Sequence, residues 1–158
     1  MRLTTNEIIY KIQKALSLSH EEIIKAYGLE GYEMTKDHLE SLLKRSQDNS
    51  FMIATYEELG IFLDGLVTLR RGSSPVLVDE EVLLTNNLIL KKLRIALDLK
   101  EYELRILFAL ADVELTKQQL ASLFRKENHK NFKPCSDELL GSFLNGLDEF
   151  YFAGNELE

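Results

Sequence analysis

One cysteine and two prolines are all that 158 residues contain of the residue types that most often staple or break a chain. Cys135 has no internal disulfide partner, so the fold must stand on its apolar core alone. Only Pro75 and Pro134 interrupt backbone hydrogen bonding, which leaves long stretches rich in Leu, Glu and Lys free to be helical. Long apolar runs are missing too. Val76-Leu77-Val78 and Val82-Leu83-Leu84 are separated by Asp79, Glu80 and Glu81, far short of the roughly 20 apolar residues of a membrane-spanning helix. The N-terminus has no basic start, apolar run and small-residue cleavage site in succession. The expectation is a cytoplasmic protein without membrane contact.

Clusters that carry chemistry are equally scarce. His20, His38 and His129 share no metal-ligand spacing, whereas a zinc site needs about four ligands. Gly28-Leu29-Glu30-Gly31 follows no strand and reads as a helix-ending turn, not a phosphate loop. No motif calls for a cofactor or a metal, and no catalytic residue is assigned.

The chain does have a globular balance of 45% apolar and 28% charged residues, which excludes disorder and collagen-like repetition. Its net charge of −7 conceals a gradient. Residues 1–83 carry 9 Lys/Arg against 14 Asp/Glu, residues 84–134 carry 10 against 6, and residues 135–158 carry none against 6. A basic middle from Lys91 to Lys133 therefore lies between acidic flanks.

The strongest signal is internal duplication. A shift of 81 residues lays Asn6 on Asn87 and Leu66 on Leu147 without a gap, with roughly a third of the pairs identical. Among them are Ile8/Ile89, Lys11/Lys92, Leu16/Leu97, Glu22/Glu103, Thr35/Thr116, Lys36/Lys117, Leu39/Leu120 and Phe51/Phe132. The best block sets Leu59-Gly60-Ile61-Phe62-Leu63-Asp64-Gly65-Leu66 over Leu140-Gly141-Ser142-Phe143-Leu144-Asn145-Gly146-Leu147.

Each copy reads as four helices, because apolar residues recur at three- and four-residue intervals behind side-chain caps. Helix one follows Thr4 or Thr85 and buries Ile8, Ile12, Ala15 and Leu16, or Ile89, Leu93, Ala96 and Leu97. Helix two starts in copy one with the capping box Ser19-x-x-Glu22, where copy two has Lys100 instead of serine. Helix three starts at Thr35 or Thr116 and is expected to reach the basic pairs Lys44-Arg45 and Arg125-Lys126. Helix four follows Thr55-x-x-Glu58 or Ser136 and contains Gly65 or Gly146, a helix-weakening residue that close approach of another helix would justify. The expected fold class is all-α, two tandem pseudo-equivalent four-helix units packed together. Residues 1–70 form helical repeat 1, 71–84 a linker with the turn signal Gly72-Ser73-Ser74-Pro75, 85–152 helical repeat 2, and 153–158 an acidic tail.

The run Asn86-Asn87-Leu88-Ile89-Leu90-Lys91-Lys92-Leu93-Arg94-Ile95-Ala96-Leu97 resembles the YehS-like family of bacterial proteins, a domain of unknown function. So do Phe124-Arg125-Lys126-Glu127-Asn128-His129-Lys130-Asn131-Phe132, Cys135 and Ser142-Phe143-Leu144-Asn145-Gly146-Leu147. Copy one departs from that pattern, with Ala54 at the Cys135 position, Asp64 at the Asn145 position and Ser46-Gln47-Asp48 in place of Glu127-Asn128-His129. The resemblance implies a duplicated helical bacterial protein and lends no reaction.

Three polar features are candidates for function. Asn6, Lys11 and Lys36 match Asn87, Lys92 and Lys117, which suits either helix capping and solvation or two equivalent polar contact points about an approximate dyad. Lys91, Lys92, Arg94, Arg125, Lys126, His129, Lys130 and Lys133 could contact nucleic acid, with Glu103 to Leu110 and Thr116 to Lys126 as a loose helix-turn-helix. Cys135, beside a helix start and after five basic residues, is either a packed small side chain or a reactive thiol. The expected function is a non-catalytic protein-interaction module with a protein partner. The alternative is a nucleic-acid-binding regulator working through the basic face of repeat 2. Self-association into a homo-oligomer stays open.

Overall fold

The computed structural model describes residues 2–72 and 83–152. Among these are eight helices: α1 (Thr5–Leu16), α2 (His20–Leu29), α3 (Lys36–Leu43), α4 (Tyr56–Arg71), α5 (Asn86–Leu97), α6 (Glu101–Leu110), α7 (Lys117–Leu123) and α8 (Asp137–Phe152). The bounds of α5, α6 and α8 repeat those of α1, α2 and α4 at the shift of 81 that the sequence shows. Most of the expected linker, including Ser73, Ser74 and Pro75, and the whole acidic tail lie outside the described residues.

Local chemistry starts these helices where the caps stand. Thr4, Ser19, Thr55 and Thr116 each accept a hydrogen bond from a backbone N–H three residues on, and Glu7, Glu22, Glu58 and Gln119 return it. Each box satisfies two of the backbone donors that a helix start leaves open. At Lys100 only half a box forms: Glu103 accepts from the Lys100 N–H at 2.7 Å, while a lysine side chain has no acceptor to offer in return. Ser136 accepts from Leu139 N–H at 3.0 Å. Helix ends are matched as well. Ser17 and Asp98 stop α1 and α5 in the left-handed conformation, and Gly31 and Asp112 take it up beyond α2 and α6. One expectation needs correction. The third helices do not reach the basic pairs; α3 ends at Leu43 and α7 at Leu123, so Lys44-Arg45 and Arg125-Lys126 begin the following loops.

Within each copy the second helix packs on the fourth, α2 on α4 and α6 on α8. Gly65 and Gly146 are what let them meet. A Cβ built on Gly65 would lie 2.0 Å from the carbonyl oxygen of Ala26, and one on Gly146 1.9 Å from that of Leu107. The close approach inferred from mid-helix glycine is thus present twice, at matched positions. Beside it, Tyr27 packs on Phe62 and Phe108 on Phe143, with ring centroids 5.8 and 5.4 Å apart.

Between copies the packing is reciprocal. The first helix of each copy lies chiefly against the fourth helix of the other, α1 on α8 and α5 on α4, and only lightly against the fourth helix of its own. These four helices form a central bundle about an approximate dyad, flanked by α2–α3 and by α6–α7. One continuous apolar cluster runs through it, including Ile9, Ile12, Leu59, Leu63, Leu90, Leu93, Leu140 and Leu144. Neither copy has a closed core of its own.

Candidate functional site

The matched polar residues divide into groups spent inside the fold and groups left outside it. Asn6 is buried, and its Nδ2 donates to the carbonyls of Leu42 and Met52 at 2.9 and 2.8 Å, while its Oδ1 accepts from Ala54 N–H at 2.9 Å. Asn87 does the same with Leu123, Lys133 and Cys135, each at 2.9 Å. Each asparagine pins the loop between the third and fourth helices onto its own first helix, so these side chains hold loops and do not line an open groove. Asn86 adds a second tie in copy two, donating to the Cys135 carbonyl and to Asp137.

Lys11 and Lys92 reach across the dyad. Lys92 Nζ pairs with Asp64, and Lys11 Nζ donates to Asn145 Oδ1 at 3.3 Å, where Asn145 occupies the position of Asp64 in the other copy. Further cross-copy contacts are Lys14 to Asp148 at 3.5 Å, Arg71 to Asp98 at 3.3 Å, and Leu3 N–H to Asp137 at 2.9 Å. The paired lysines are therefore part of the joint between copies. Lys36 and Lys117 open α3 and α7 and are exposed.

The basic face of repeat 2 is smaller than the sequence implies. Lys92 is buried in its pair with Asp64. Arg94 donates to the Leu99 carbonyl at 3.2 Å and lies over the Phe124 ring. Lys92 is thus spent inside the fold, and Arg94 is half-buried. Lys91, Arg125, Lys126, His129, Lys130 and Lys133 are exposed. Of these, Lys133 is tied through its carbonyl to Asn87, one helical turn before Lys91 on α5. A groove of about 590 Å³, lined by Lys117, Gln118, Ser122, Arg125 and Asn131 among others, extends this surface along α7. With seven residues, α7 makes barely two turns, so the expected second helix of a helix-turn-helix is short.

At the matching place copy one keeps the exposed cations Lys44 and Arg45 but adds apolar side chains. Tyr10, Met52, Ile53 and Tyr56 stand where copy two has Lys91, Lys133, Pro134 and Asp137, and they are 49%, 50%, 76% and 64% exposed. Asn6 holds the Met52 carbonyl just as Asn87 holds that of Lys133. The sequence reading passed over this face. The signal that marks it is the comparison of the two copies at outward positions, where apolar residues in one copy stand at charged or proline positions in the other.

Of the two readings of Cys135, its surroundings match the packed side chain. The thiol is buried, and burial, followed by the negative Asp137, pushes it up to about 11. The basic residues that precede it in sequence face solvent, so the charge that acts on the sulfur is the carboxylate.

A second group that the sequence reading missed surrounds Glu58 in copy one. Its carboxylate accepts from Tyr32 Oη at 2.7 Å, from His38 Nε2 at 2.6 Å and from Thr55 N–H at 2.9 Å, and its carbonyl accepts from Tyr27 Oη at 3.0 Å. Burial alone would raise the Glu58 carboxyl, but the Thr55 N–H, His38 and Tyr32 together hold it below its ordinary value. Tyr32, hydrogen-bonded to that carboxylate, is raised to about 12. Copy two has Phe108, Val113, Gln119 and Leu139 at the four positions. The cluster is internally satisfied. Among the described residues no group of three or more His, Cys, Asp or Glu is arranged to hold a metal ion, and no helix is long and apolar enough to cross a membrane.

A tandem all-α protein whose two copies exchange first helices and share one core is the class this architecture defines. The chain belongs to the family described as Protein of unknown function (DUF1456), which matches residues 5–72 and 86–151, one stretch per copy. It is similar to the uncharacterized protein YehS of Escherichia coli strain K12, at 28% identity over 148 residues covering 92% of this chain and 94% of that protein. No solved structure matches.

Proposed function

We propose that the chain is a non-catalytic protein-interaction module whose docking face is the α3–α4 loop of copy one. The observation that carries this is the exposed set Tyr10, Met52, Ile53 and Tyr56, held in place by a buried asparagine at positions that are charged or proline in copy two. Exposed apolar side chains gathered in one place mark interaction surfaces more reliably than scattered ones. Exposed charges of both signs surround it, Lys44 and Arg45 beside Glu7, Asp48 and Glu57, so the fitting partner is a protein segment that presents apolar side chains.

A photo-crosslinking amino acid at Ile53, compared in cells with the same residue at Pro134, tests this. The expected result is a discrete adduct with another protein from position 53, lost when Met52 is also changed to Glu, and none from position 134. Equal adducts from both positions, or none from 53, would contradict it.

A second reading rests on Lys91, Arg125, Lys126, Lys130 and Lys133, all exposed in the second copy of an acidic protein. Such cations fit the phosphate backbone of nucleic acid, and such binding weakens with salt in proportion to the phosphates neutralised. Titration with duplex DNA and with structured RNA at low salt should show micromolar binding that Lys126→Glu/Lys130→Glu abolishes. Binding that is absent, or indifferent to salt, removes the reading.

A further inference from the structure

We infer that the central bundle is a selective interaction surface, on which copy one accepts copy two and copy two refuses a second copy of itself. The reciprocal packing raises the question directly. Because α1 lies on α8 and α5 on α4, an α1 and an α4 face in each copy are covered only by the other, and the same backbone arrangement would serve two identical copies. What separates the pairings is side-chain chemistry at two positions on each face.

The first position is the lysine of helix one. Lys92 is buried and meets Asp64, which only copy one has. In a pairing of copy two with itself, Lys92 would meet Asn145, a neutral partner, and a buried ammonium without a counter-ion is strongly disfavoured. The second position lies one turn along. Lys14 of α1 meets Asp148 of α8, while Ile95 and Val67 occupy the matched places on α5 and α4, and Val67 is fully covered. The charged pair and the apolar pair are thus each complete only between unlike copies. Copy two with itself would set Asp148 against Ile95, and copy one with itself would set Lys14 against Val67. The mismatches fall more heavily on copy two, which fails at both positions. Copy one fails at one and finds Lys11 opposite Asp64 at the other. Specificity of this kind rests on disfavouring the wrong partner as much as on attracting the right one.

The test uses the full chain with a protease site placed between Gly72 and Leu83, folded, cleaved, unfolded in denaturant and refolded, with native mass spectrometry as readout. The wild-type halves should return as a one-to-one complex of unlike copies, exceeding the like pair of copy two by about tenfold or more. In Asn145→Asp/Asp148→Val, copy two offers itself both an acid for Lys92 and an apolar partner for Ile95, and its like pair should rise to the abundance of the unlike one. Reversing the charges with Lys14→Asp/Asp148→Lys should keep the unlike pair in excess over the like pair of copy two. A statistical mixture of pairs in the wild type overturns the inference, as do halves that fail to re-pair. No increase in like pairs for Asn145→Asp/Asp148→Val overturns it equally.

Discussion

Gly65 and Gly146 show how single atoms set this fold. A methyl group at either would fall inside a carbonyl of the neighbouring helix, and helices so tightly packed separate only at the expense of the aromatic contacts beside them. Gly65→Ala should therefore lower stability by about 2 kcal/mol or more, the upper part of the range for overpacking. Gly141 lies in α8 with nothing within 4 Å of its would-be Cβ, and Gly141→Ala should gain about 0.5–1 kcal/mol from helix propensity alone. Opposite signs in denaturant melts support the account, and equal effects contradict it. Cys135 gives a second prediction at this scale. With its thiol raised to about 11 by burial and by Asp137, it should react with iodoacetamide at pH 7 more slowly than a free model thiol and reach the model rate only on unfolding. Glu58 gives a third. Its folded-state value is lowered, so its contribution is complete above the unfolded carboxyl value of about 4.3 and disappears as pH falls through the folded one. The gap in melting temperature between wild type and Glu58→Gln should be widest near neutral pH and close on acidification; a gap independent of pH argues against the cluster.

At the scale of elements, the sequence was legible wherever the cause is local. Thr4, Ser19, Thr55 and Thr116 started helices because a cap acts through neighbouring backbone groups. The duplication was legible because both copies bury the same positions. The third-helix ends were read too far, since Arg125 and Lys126 continue a helix-favouring composition but the backbone turns away after Leu123 to bring Lys133 N–H onto the Ser122 carbonyl. The candidate sites were less legible, because a side chain's partner 36 to 134 residues away is invisible in spacing. The match of Asn6 and Asn87 suits helix capping or a polar contact in the sequence, and in the fold both pin a loop. Removing that clamp should show its worth. Asn6→Ala leaves the Leu42 and Met52 carbonyls and the Ala54 N–H without their partner, and orphaned buried groups cost roughly 1–3 kcal/mol each unless water replaces the bond. The expected result is a loss of at least about 2 kcal/mol, with hydrogen exchange accelerated first at Ala54; an unchanged melt would show that the loop holds itself.

At the scale of the whole molecule, two copies are one folding unit because each supplies the wall the other lacks. The cross-copy contacts differ in weight. Lys92 is buried in its pair with Asp64 whereas Lys14 is mostly exposed in its pair with Asp148. Asp64→Asn should therefore destabilise by about 1–3 kcal/mol, below the range for a fully buried pair because Asp64 retains some solvent. Asp148→Asn should cost under about 1 kcal/mol. Both losses should appear as a shift of a single unfolding transition sensed in both copies, since a core shared across the dyad cannot melt by halves. The reciprocal arrangement also explains why the outward loops were free to diverge, one exposing apolar side chains and one basic, while the inward lysines stayed paired.

Zero-length carbodiimide cross-linking of the monomeric full chain, read by peptide mass spectrometry, addresses the exchange of first helices most directly. The account predicts an amide between Lys14 and Asp148, joined across the two copies, with Lys92 to Asp64 as the second link. Links from Lys11 to Asp64 within copy one, in the absence of Lys14 to Asp148, would show that each first helix packs on its own copy and contradict the account.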